Sequence, residues 1–542
     1  MQLDLIVENA RIITGDFHRP TATRLGVWNG VFVGVDERIE GLDAAVRVDA
    51  GGQVITPGFN DAHAHSVWFG QSLLELDLEG LQSADAVYAA IEERAAQLDP
   101  GLWVVCTGYN PDELTGPEPE RDGLDVAAKG RPVLLRHSHG HAYTVNSAVL
   151  FMAGIPEGIH RQPEGGEIVT DAGGRPTGVL KETAMSSVNR LLQPESDTSI
   201  ADALERASAA YAADGLTSVT DAGVAGGWIG HSPLEFGAYQ RARDAGMLKT
   251  RFQAMVTLDA LHPVAGHADD GERVTLDAGL RTGLGDEWLQ VGPAKVFADG
   301  SIMSRTAAMT QEYEHCHHVY GYLQQDAAHM RASTLAAAAA GWSLALHALG
   351  DAAVDFAIET IEEAQLSYGR PRIPHRIEHG GVVRDDQIRD MARLGIVLAT
   401  QPNFIAAFGE GEEERLGAER ARLSYPAKRL LEAGMVLPGS SDRPVTHGAP
   451  LRVMQDFVLR RSFAGREFSP ADRITAAEAL HAYTVGSAVA TGWGGRKGQI
   501  RPGQLADFVV LGASPLEVPA EQIGDIEVVA TAVGGVWVHG GL

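Results

Sequence analysis

Eight short apolar segments, each followed by polar residues or a turn, alternate along the middle of the chain with stretches of helical periodicity. In chain order they read VITPGFNDAHAH, LTSVTDAG, RFQAMVTL, VGPAKVFADG, WSLALHALGD, PHRIEHGG, IVLATQPN and MVLPGSSD. A regular alternation of strand and helix indicates a parallel α/β architecture. Eight such units close a barrel, so we predict an α/β fold of the (β/α)8, or TIM barrel, type over residues 58–494.

The two ends of the chain differ from this middle. Residues 1–57 and 495–542 consist of short alternating runs broken by Gly and Asn, a pattern typical of β-hairpins. We therefore predict one discontinuous β-sandwich domain built from both termini. The first and second barrel strands are too far apart for a single connection, and we expect residues 75–200 to form an insertion after barrel strand 1.

One connecting segment shows the helical period clearly. After the fifth strand, residues 352–365 place their apolar positions on one face, with Asp351 as a candidate N-cap. These positions are Val354, Ala357, Ile358, Ile361 and Ala364.

Composition limits the partners of the chain. With 44 Lys and Arg against 71 Asp and Glu, the formal net charge is −27, which disfavours nucleic acid. No apolar run is long enough for a membrane helix, and the start of the chain has acids where a signal peptide needs bases. The only cysteines, Cys106 and Cys316, form no disulfide framework, which favours a reducing, cytoplasmic compartment. We expect a small-molecule substrate; a homodimer is left open.

Imidazole, ammonium and carboxylate groups collect where the predicted strands end. These residues are His63, His65, Lys295, His347, His379 and Asp442. The carboxyl ends of barrel strands converge on one mouth, where enzymes of this architecture keep their chemistry. Each motif alone is weak, since a strand-end histidine is often only hydrogen-bonded. Together, in this order, they predict a site for zinc or a similar divalent ion.

The motifs ITPGFNDAHAH, KVFADGSIMSRTAAM, HALGDAAVD, HRIEHGG and GQIRPGQLADFVVL carry a resemblance over nearly the whole chain. The sequence resembles the amidohydrolase superfamily, and within it amidohydrolase family 3, the YtcJ-like group that includes N-substituted formamide deformylases. The resemblance implies a metal-bearing barrel with a β-sandwich, one or two ions, and all six strand-end residues as ligands.

Lys295 is an unusual residue for an apolar strand, because burying an unpaired ammonium is costly. The resemblance implies that CO2 carbamylates it to an anionic bridge between two ions. The alternative is an unmodified lysine, ligating nothing or paired with Asp299 or a substrate carboxylate.

The resemblance also implies hydrolysis of a non-peptide amide C–N bond, in an N-acyl or N-formyl amine, by a metal-activated water. Asp442 would act as general base and then acid, while His379 would ligate metal or polarise the carbonyl. The same scaffold leaves open a cyclic amide hydrolase or a deaminase. A third hypothesis is that the chain is a non-catalytic, metal-binding regulatory protein.

Five further residues are candidates for substrate binding. They are His141, Asn146, Arg305, Trp68 and Tyr313, with ordinary hydrogen-bonding, salt-bridge or packing roles as the alternatives. Asp61 and Asp351 are expected to orient their neighbours. The cluster EYEHCHHVYGYL at 312–323 is interpreted as a loop over the pocket rather than a metal site, because zinc ligands are normally spaced.

Overall fold

The computed structural model describes residues 2–99, 101–159, 161–269 and 271–542. Its centre is a sheet of seven parallel strands whose spatial order follows their order in the chain. From first to seventh, these barrel strands are Phe59–Ala64, Leu216–Val224, Arg251–Thr257, Leu289–Phe297, Leu344–Ala348, Arg376–His379 and Val397–Ala399. Nearly every residue in them is buried, as expected when helices cover a parallel sheet.

The eighth predicted strand, at 435–442, is not a strand in the structure. Pro438 has no N–H to donate to a ladder, and irregular backbone takes the place of the strand. The segment still closes most of the gap. Ala62 N donates to Gly439 O at 2.9 Å, Asp442 N donates to His63 O at 2.7 Å, and the Ser440 hydroxyl donates to Thr400 O at 3.1 Å. The barrel is thus nearly closed by seven strands and one coil segment.

Helices surround this sheet and connect its strands. The α-helices are Ser66–Ser72, Ala84–Gln97, Arg121–Ala128, Ser147–Met152, Ser186–Leu192, Asp197–Ala213, Glu235–Asp244, Ala327–Ala339, Asp351–Tyr368, Asp385–Leu394, Asn403–Leu416, Ala418–Ala421, Ala427–Glu432, Pro450–Leu459, Ala476–His481 and Ser487–Ala490. The helix predicted at 352–365 is present, and its predicted apolar face is buried. Gly350, rather than Asp351, is its N-cap. Among the described residues, no helix is both long and apolar enough to cross a bilayer.

Two further sheets contain strands from the chain ends. One has the order Val31–Val35, Leu25–Trp28, Gln2–Glu8, Asp43–Asp49. The other has the order Val536–Gly540, Val528–Val533, Phe508–Leu511, Val54–Pro57, Arg11–Ile13, Thr21–Ala22. In the second sheet Val509 pairs with Thr56, so both ends of the chain build it. Phe32 of the first sheet and Phe508 of the second pack together in a core separate from that of the barrel.

A six-stranded sheet lies in sequence between the first and second barrel strands. Its order is Gly166–Thr170, Pro176–Glu182, Ala142–Val145, Val133–His137, Val104–Tyr109, Leu76–Asp77. Its strands fall within the segment expected to be an insertion. A two-stranded ribbon, His262–Ala265 with Glu272–Thr275, follows the third barrel strand.

Candidate functional site

His63, His65 and Asp442 come together at the mouth of the barrel. Alternation along the first strand points both histidines the same way, and the hydrogen bond from Asp442 N to His63 O brings in the carboxylate. Asp442 Oδ1 lies 3.2 Å from His63 Nε2 and 3.1 Å from His65 Nε2. One ligand atom from each residue falls within 4.8 Å of the others, a spacing that a single metal ion can span.

Several polar atoms of this cluster lack the hydrogen bonds that buried groups normally make. Among the described residues, His63 Nε2, His65 Nδ1, Asp442 Oδ1 and Lys295 Nζ are buried without a hydrogen-bond partner. Imidazole nitrogens and a carboxylate oxygen are the ligands that zinc prefers in proteins. The donor set therefore fits a divalent ion.

A buried pair that sequence reasoning missed orients His63. His63 Nδ1 lies 2.5 Å from Glu378 Oε2, so the proton sits on Nδ1 and Nε2 is left to face the site. Arg376 holds the Glu378 carboxylate through bonds of 2.8 and 2.7 Å, and it also donates to Ala62 O. Burial opposes ionisation of Glu378, but Arg376 and His63 outweigh it and hold the pKa of Glu378 below its usual value. Alternation in RIEH was the signal available, since Arg376 and Glu378 share one strand face.

His379 and His347 continue the cluster. The His379 ring centroid is 4.8 Å from that of His63 and 4.6 Å from that of His347. His379 Nδ1 donates to Gln401 Oε1 at 2.9 Å, and the Gln401 amide nitrogen donates to Ala399 O, which fixes the amide orientation. His379 Nε2 is thus the unprotonated nitrogen. Burial lowers the pKa of His379 to about 3, so its ring is neutral and able to bind metal at pH 7.

His347 is held differently. Its Nε2 donates to the Gly300 carbonyl at 3.1 Å, which leaves Nδ1 as the unprotonated nitrogen. Burial and the neighbouring His379 lower the pKa of His347 well below its usual value. Neither His347 nor His379 belongs to the compact group of three potential ligands, so a metal role for either stays a prediction.

Lys295 is 1% exposed, and its Nζ lies 4.8 Å from the centroid of the Phe297 ring. Among the described residues it forms no ion pair or hydrogen bond, and burial lowers the pKa of Lys295 to about 8. The alternative pairing with Asp299 is not found. Asp299 instead accepts the backbone N–H groups of Ala308, Leu349 and Gly350.

Two aspartates named from the sequence have structural partners. Asp61 accepts hydrogen bonds from the Ser441 hydroxyl, Ser441 N and His63 N, so it fastens the coil segment to the first strand. Burial raises the pKa of Asp61 to about 6. Asp351 accepts from Thr310 N and pairs with Arg384 at 2.9 Å, away from the metal cluster.

Backbone strain coincides with this cluster. His379 and Asp442 have φ values of 77° and 58°, in the left-handed region that residues other than glycine seldom adopt. Such conformations cost about 1–3 kcal/mol each and persist where surrounding structure enforces them. Both residues were predicted from sequence as catalytic.

Of the predicted substrate contacts, His141 and Trp68 lie beside the metal cluster. The His141 ring is 5.3 Å from that of His347, and its Nδ1 bonds to Glu182 at 2.9 Å. The Trp68 ring is 6.0 Å from that of His65, with a buried indole nitrogen that has no partner among the described residues. Glu182, which Gln324 also holds, is a second residue that sequence reasoning missed.

The other three candidates are placed differently. Asn146 caps the helix Ser147–Met152, and its amide bonds only to backbone groups within the insertion. The buried Tyr313 hydroxyl donates to Ala307 O at 2.9 Å. Arg305 is half-buried, and its Nε has no hydrogen-bond partner in the described part of the chain. Substrate roles for Asn146, Tyr313 and Arg305 stay predictions.

The histidine-rich loop at 314–318 is largely exposed, and its His317 and His318 lie near Glu312. Within the described residues, the one group with metal-binding spacing is His63, His65 and Asp442.

A cleft opens onto the metal cluster. Its polar lining includes His141, His347, His379, Asp442 and Glu412. Its apolar lining includes Met303, Leu349, Phe404 and Phe408. Such a cleft suits a small, partly apolar molecule placed against the metal-binding groups.

Comparison with known proteins agrees with this architecture. Residues 47–539 match the model of the amidohydrolase family. The putative amidohydrolase YtcJ of Bacillus subtilis is 30% identical over 90% of this chain and 89% of its own, and the N-substituted formamide deformylase of Arthrobacter pascens is 29% identical over 98% of each chain. An uncharacterized metal-dependent hydrolase from Pyrococcus horikoshii shares the fold with a TM-score of 0.74, at 24% identity, over 95% of this chain and 99% of its own. The chain belongs to the amidohydrolase family.

Proposed function

We propose that this protein is a metal-dependent hydrolase that cleaves a non-peptide amide bond in an N-acyl or N-formyl amine. The observation that carries the proposal is the set of buried, unpartnered nitrogen and oxygen atoms at the barrel mouth. Leaving such atoms unpaired costs free energy, and a bound cation would relieve that cost. Membership of the amidohydrolase family supports the same reaction class.

His63, His65 and Asp442 would hold one divalent ion, with zinc as the proposed metal. His347 and His379 would serve a second ion. A bound ion of this kind polarises an amide carbonyl and lowers the pKa of water.

Lys295 would be carbamylated. Its depressed pKa makes the neutral amine accessible near pH 8. That amine adds to CO2, forming an N–C bond and releasing one proton, which leaves an anionic carbamate. A carbamate removes the unpaired ammonium and adds two oxygen ligands, whereas an ammonium would repel the ions.

The remaining steps fall to residues of the chain. Asp442 is ionised, because His63 and His65 hold its pKa well below the usual range despite burial. It would take a proton from the attacking water and deliver it to the departing nitrogen as the C–N bond breaks. Burial opposes protonation of His141, but Glu182 raises the pKa of His141 above its usual value, so its Nε2–H would donate a hydrogen bond to the carbonyl oxygen as negative charge develops there. His379, whose Nε2 carries no proton, would act as a metal ligand.

The choice of N-formyl or N-acyl amines rests on the similarity to a formamide deformylase and on the cleft, which combines polar and apolar lining residues. The test combines metal analysis with a panel of N-formyl amines, N-acyl amino acids and cyclic imides. We expect bound divalent metal, turnover of simple formamides, loss of activity with a chelator and recovery with zinc.

Three other results would contradict the proposal. Turnover of cyclic imides alone would indicate a cyclic amide hydrolase, and ammonia release from a ring amine would indicate a deaminase. Stoichiometric metal without turnover of any compound in the panel would favour a binding protein.

A further inference from the structure

Glu412 is a buried carboxyl group in the cleft wall that has no part in the metal cluster. It is 2% exposed. Its Oε1 accepts a hydrogen bond of 2.5 Å from the Tyr425 hydroxyl, whereas Oε2 is buried with no partner among the described residues. Glu412 lines the same cleft as His379 and Asp442.

A stripe on one helix joins Glu412 to the metal cluster. Phe404, Phe408 and Glu412 are four residues apart on the helix Asn403–Leu416, so they share one face, and all three line the cleft. The Phe404 ring stacks on that of His379 at 6.0 Å. At about 1.5 Å of rise per residue, Glu412 lies about 12 Å along the helix from Phe404.

Among the described residues, no cation donates a hydrogen bond to the buried Oε2 of Glu412. The cation three residues on, Arg415, donates to Met303 O and Gly411 O and pairs with Asp112 instead. Burial raises the pKa of Glu412 to about 8. The hydrogen bond from Tyr425 and the charge of Arg415 lower this pKa, but by less than burial raises it. A cation that reached the unpaired Oε2 would stabilise the ionised form of Glu412.

We propose that Glu412 is a specificity-determining residue that pairs with a protonated amine at the far end of the substrate. The inference rests on the proposed amide hydrolysis and narrows its substrate class to mono-N-acylated or N-formylated diamines with an apolar linker. The linker would lie along Phe404 and Phe408, with the amide at His379 and Asp442. The net charge of −27 also draws cationic substrates towards the protein.

The test compares N-formyl-1,6-diaminohexane with N-formylhexylamine, which differ only in the terminal amine. For the wild type we expect a higher kcat/KM on the diamine derivative. In Glu412→Gln, which keeps the shape and the acceptor for Tyr425, this preference should fall by at least about tenfold, since one partner of a buried charge pair is lost. Glu414→Gln, the same change at an exposed position of the same helix, should keep the full preference.

A binding measurement separates the two proposals. Calorimetry with hexylamine and 1-hexanol on the metal-loaded protein needs no turnover; the wild type should favour the amine, and Glu412→Gln should not. If formamides are cleaved but neither experiment shows a preference that depends on Glu412, the specificity role is overturned and the hydrolase stands. If no formamide is cleaved, the hydrolase proposal fails, and the calorimetry alone supports or overturns the role of Glu412.

Discussion

Two lysines are buried at opposite ends of the same barrel. Lys295 lies at the carboxyl end of the fourth strand, 1% exposed. Lys497 is 6% exposed and donates to the hydroxyl of Ser218, near the start of the second strand. Burial lowers the pKa of Lys295 to about 8 and that of Lys497 to about 7. Desolvation thus acts similarly on both side chains.

What differs is the surroundings. Ser218 passes the hydrogen bond on to Asn60, so the Lys497 ammonium belongs to a polar network. Lys295 has no hydrogen-bond partner among the described residues and lies beside other unsatisfied groups and two strained backbone positions. The hydrogen-bonded Lys497 therefore suits a role in stability, and the unpartnered Lys295 suits a role in chemistry. This division agrees with the general placement of active sites in such barrels.

Of the substitutions that test this contrast, Lys295→Ala should change activity most. If the carbamate contributes ligands and charge, kcat/KM should fall by about 10²–10³ or more. In the metal-free protein, where Lys295 is an unmodified buried amine without a hydrogen-bond partner among the described residues, thermal stability should be unchanged or higher after the substitution. Kinetics on N-formyl amines and thermal unfolding measure these two quantities, and metal analysis shows whether ligands have been lost.

Added short carboxylates give a control for that variant. They should restore part of the metal content and activity of Lys295→Ala by replacing the carbamate oxygens. A fully active Lys295→Ala enzyme would show that no carbamate bridge is needed. Lys295 would then have no catalytic role to distinguish it from Lys497.

The next largest effect is expected from Glu378→Gln. The carboxylate fixes the tautomer of His63, and changing a residue that orients a metal ligand typically costs about 10–100-fold in affinity or activity. A metal titration read by activity would show weaker binding. Unchanged metal affinity would mean that Glu378 serves only to neutralise Arg376.

Much of this arrangement was predictable from the sequence. The seven barrel strands follow from the alternation of apolar segments and helical stretches along the chain. The positions of His63, His65 and Asp442 at the ends of predicted strands locate the cluster. The eighth strand was wrong because Pro438 and Gly439 prevent a regular ladder, although the segment occupies the expected place.

The supporting contacts were harder to predict, because they join residues distant in the chain. Glu378 bonds to His63 across 315 positions, and Glu182, the last residue of the strand Pro176–Glu182, bonds to His141, 41 positions earlier. In the sequence, Glu412 is one of several glutamates on the same helix, and only the fold shows that it lines the cleft. Asn146, selected by motif, also caps the helix Ser147–Met152, a structural role that the motif did not predict.

A smaller effect, on stability rather than activity, is expected from Lys497→Met. The substitution removes a buried donor to Ser218 and leaves its acceptors less satisfied, which should cost about 1–3 kcal/mol in the free energy of unfolding. Urea unfolding measures the cost, and kcat/KM on the same formamides should stay at the wild-type value. Loss of metal or activity without loss of stability would contradict the assignment of Lys497 to the structural end.

The last effect expected is the pH dependence of that cost. The pKa of Lys497 falls from its usual 10.5 to about 7 on folding, so between these values the unfolded chain binds more protons than the folded one. The contribution of Lys497 to stability therefore rises with pH across this range and is least favourable below about pH 7, where the ammonium must be buried charged. The stability of the wild type relative to Lys497→Met should increase between pH 7 and pH 9.5 in urea unfolding. A difference independent of pH would mean that the hydrogen bond to Ser218 keeps Lys497 charged, and that Lys295 is then the more strongly perturbed of the two lysines.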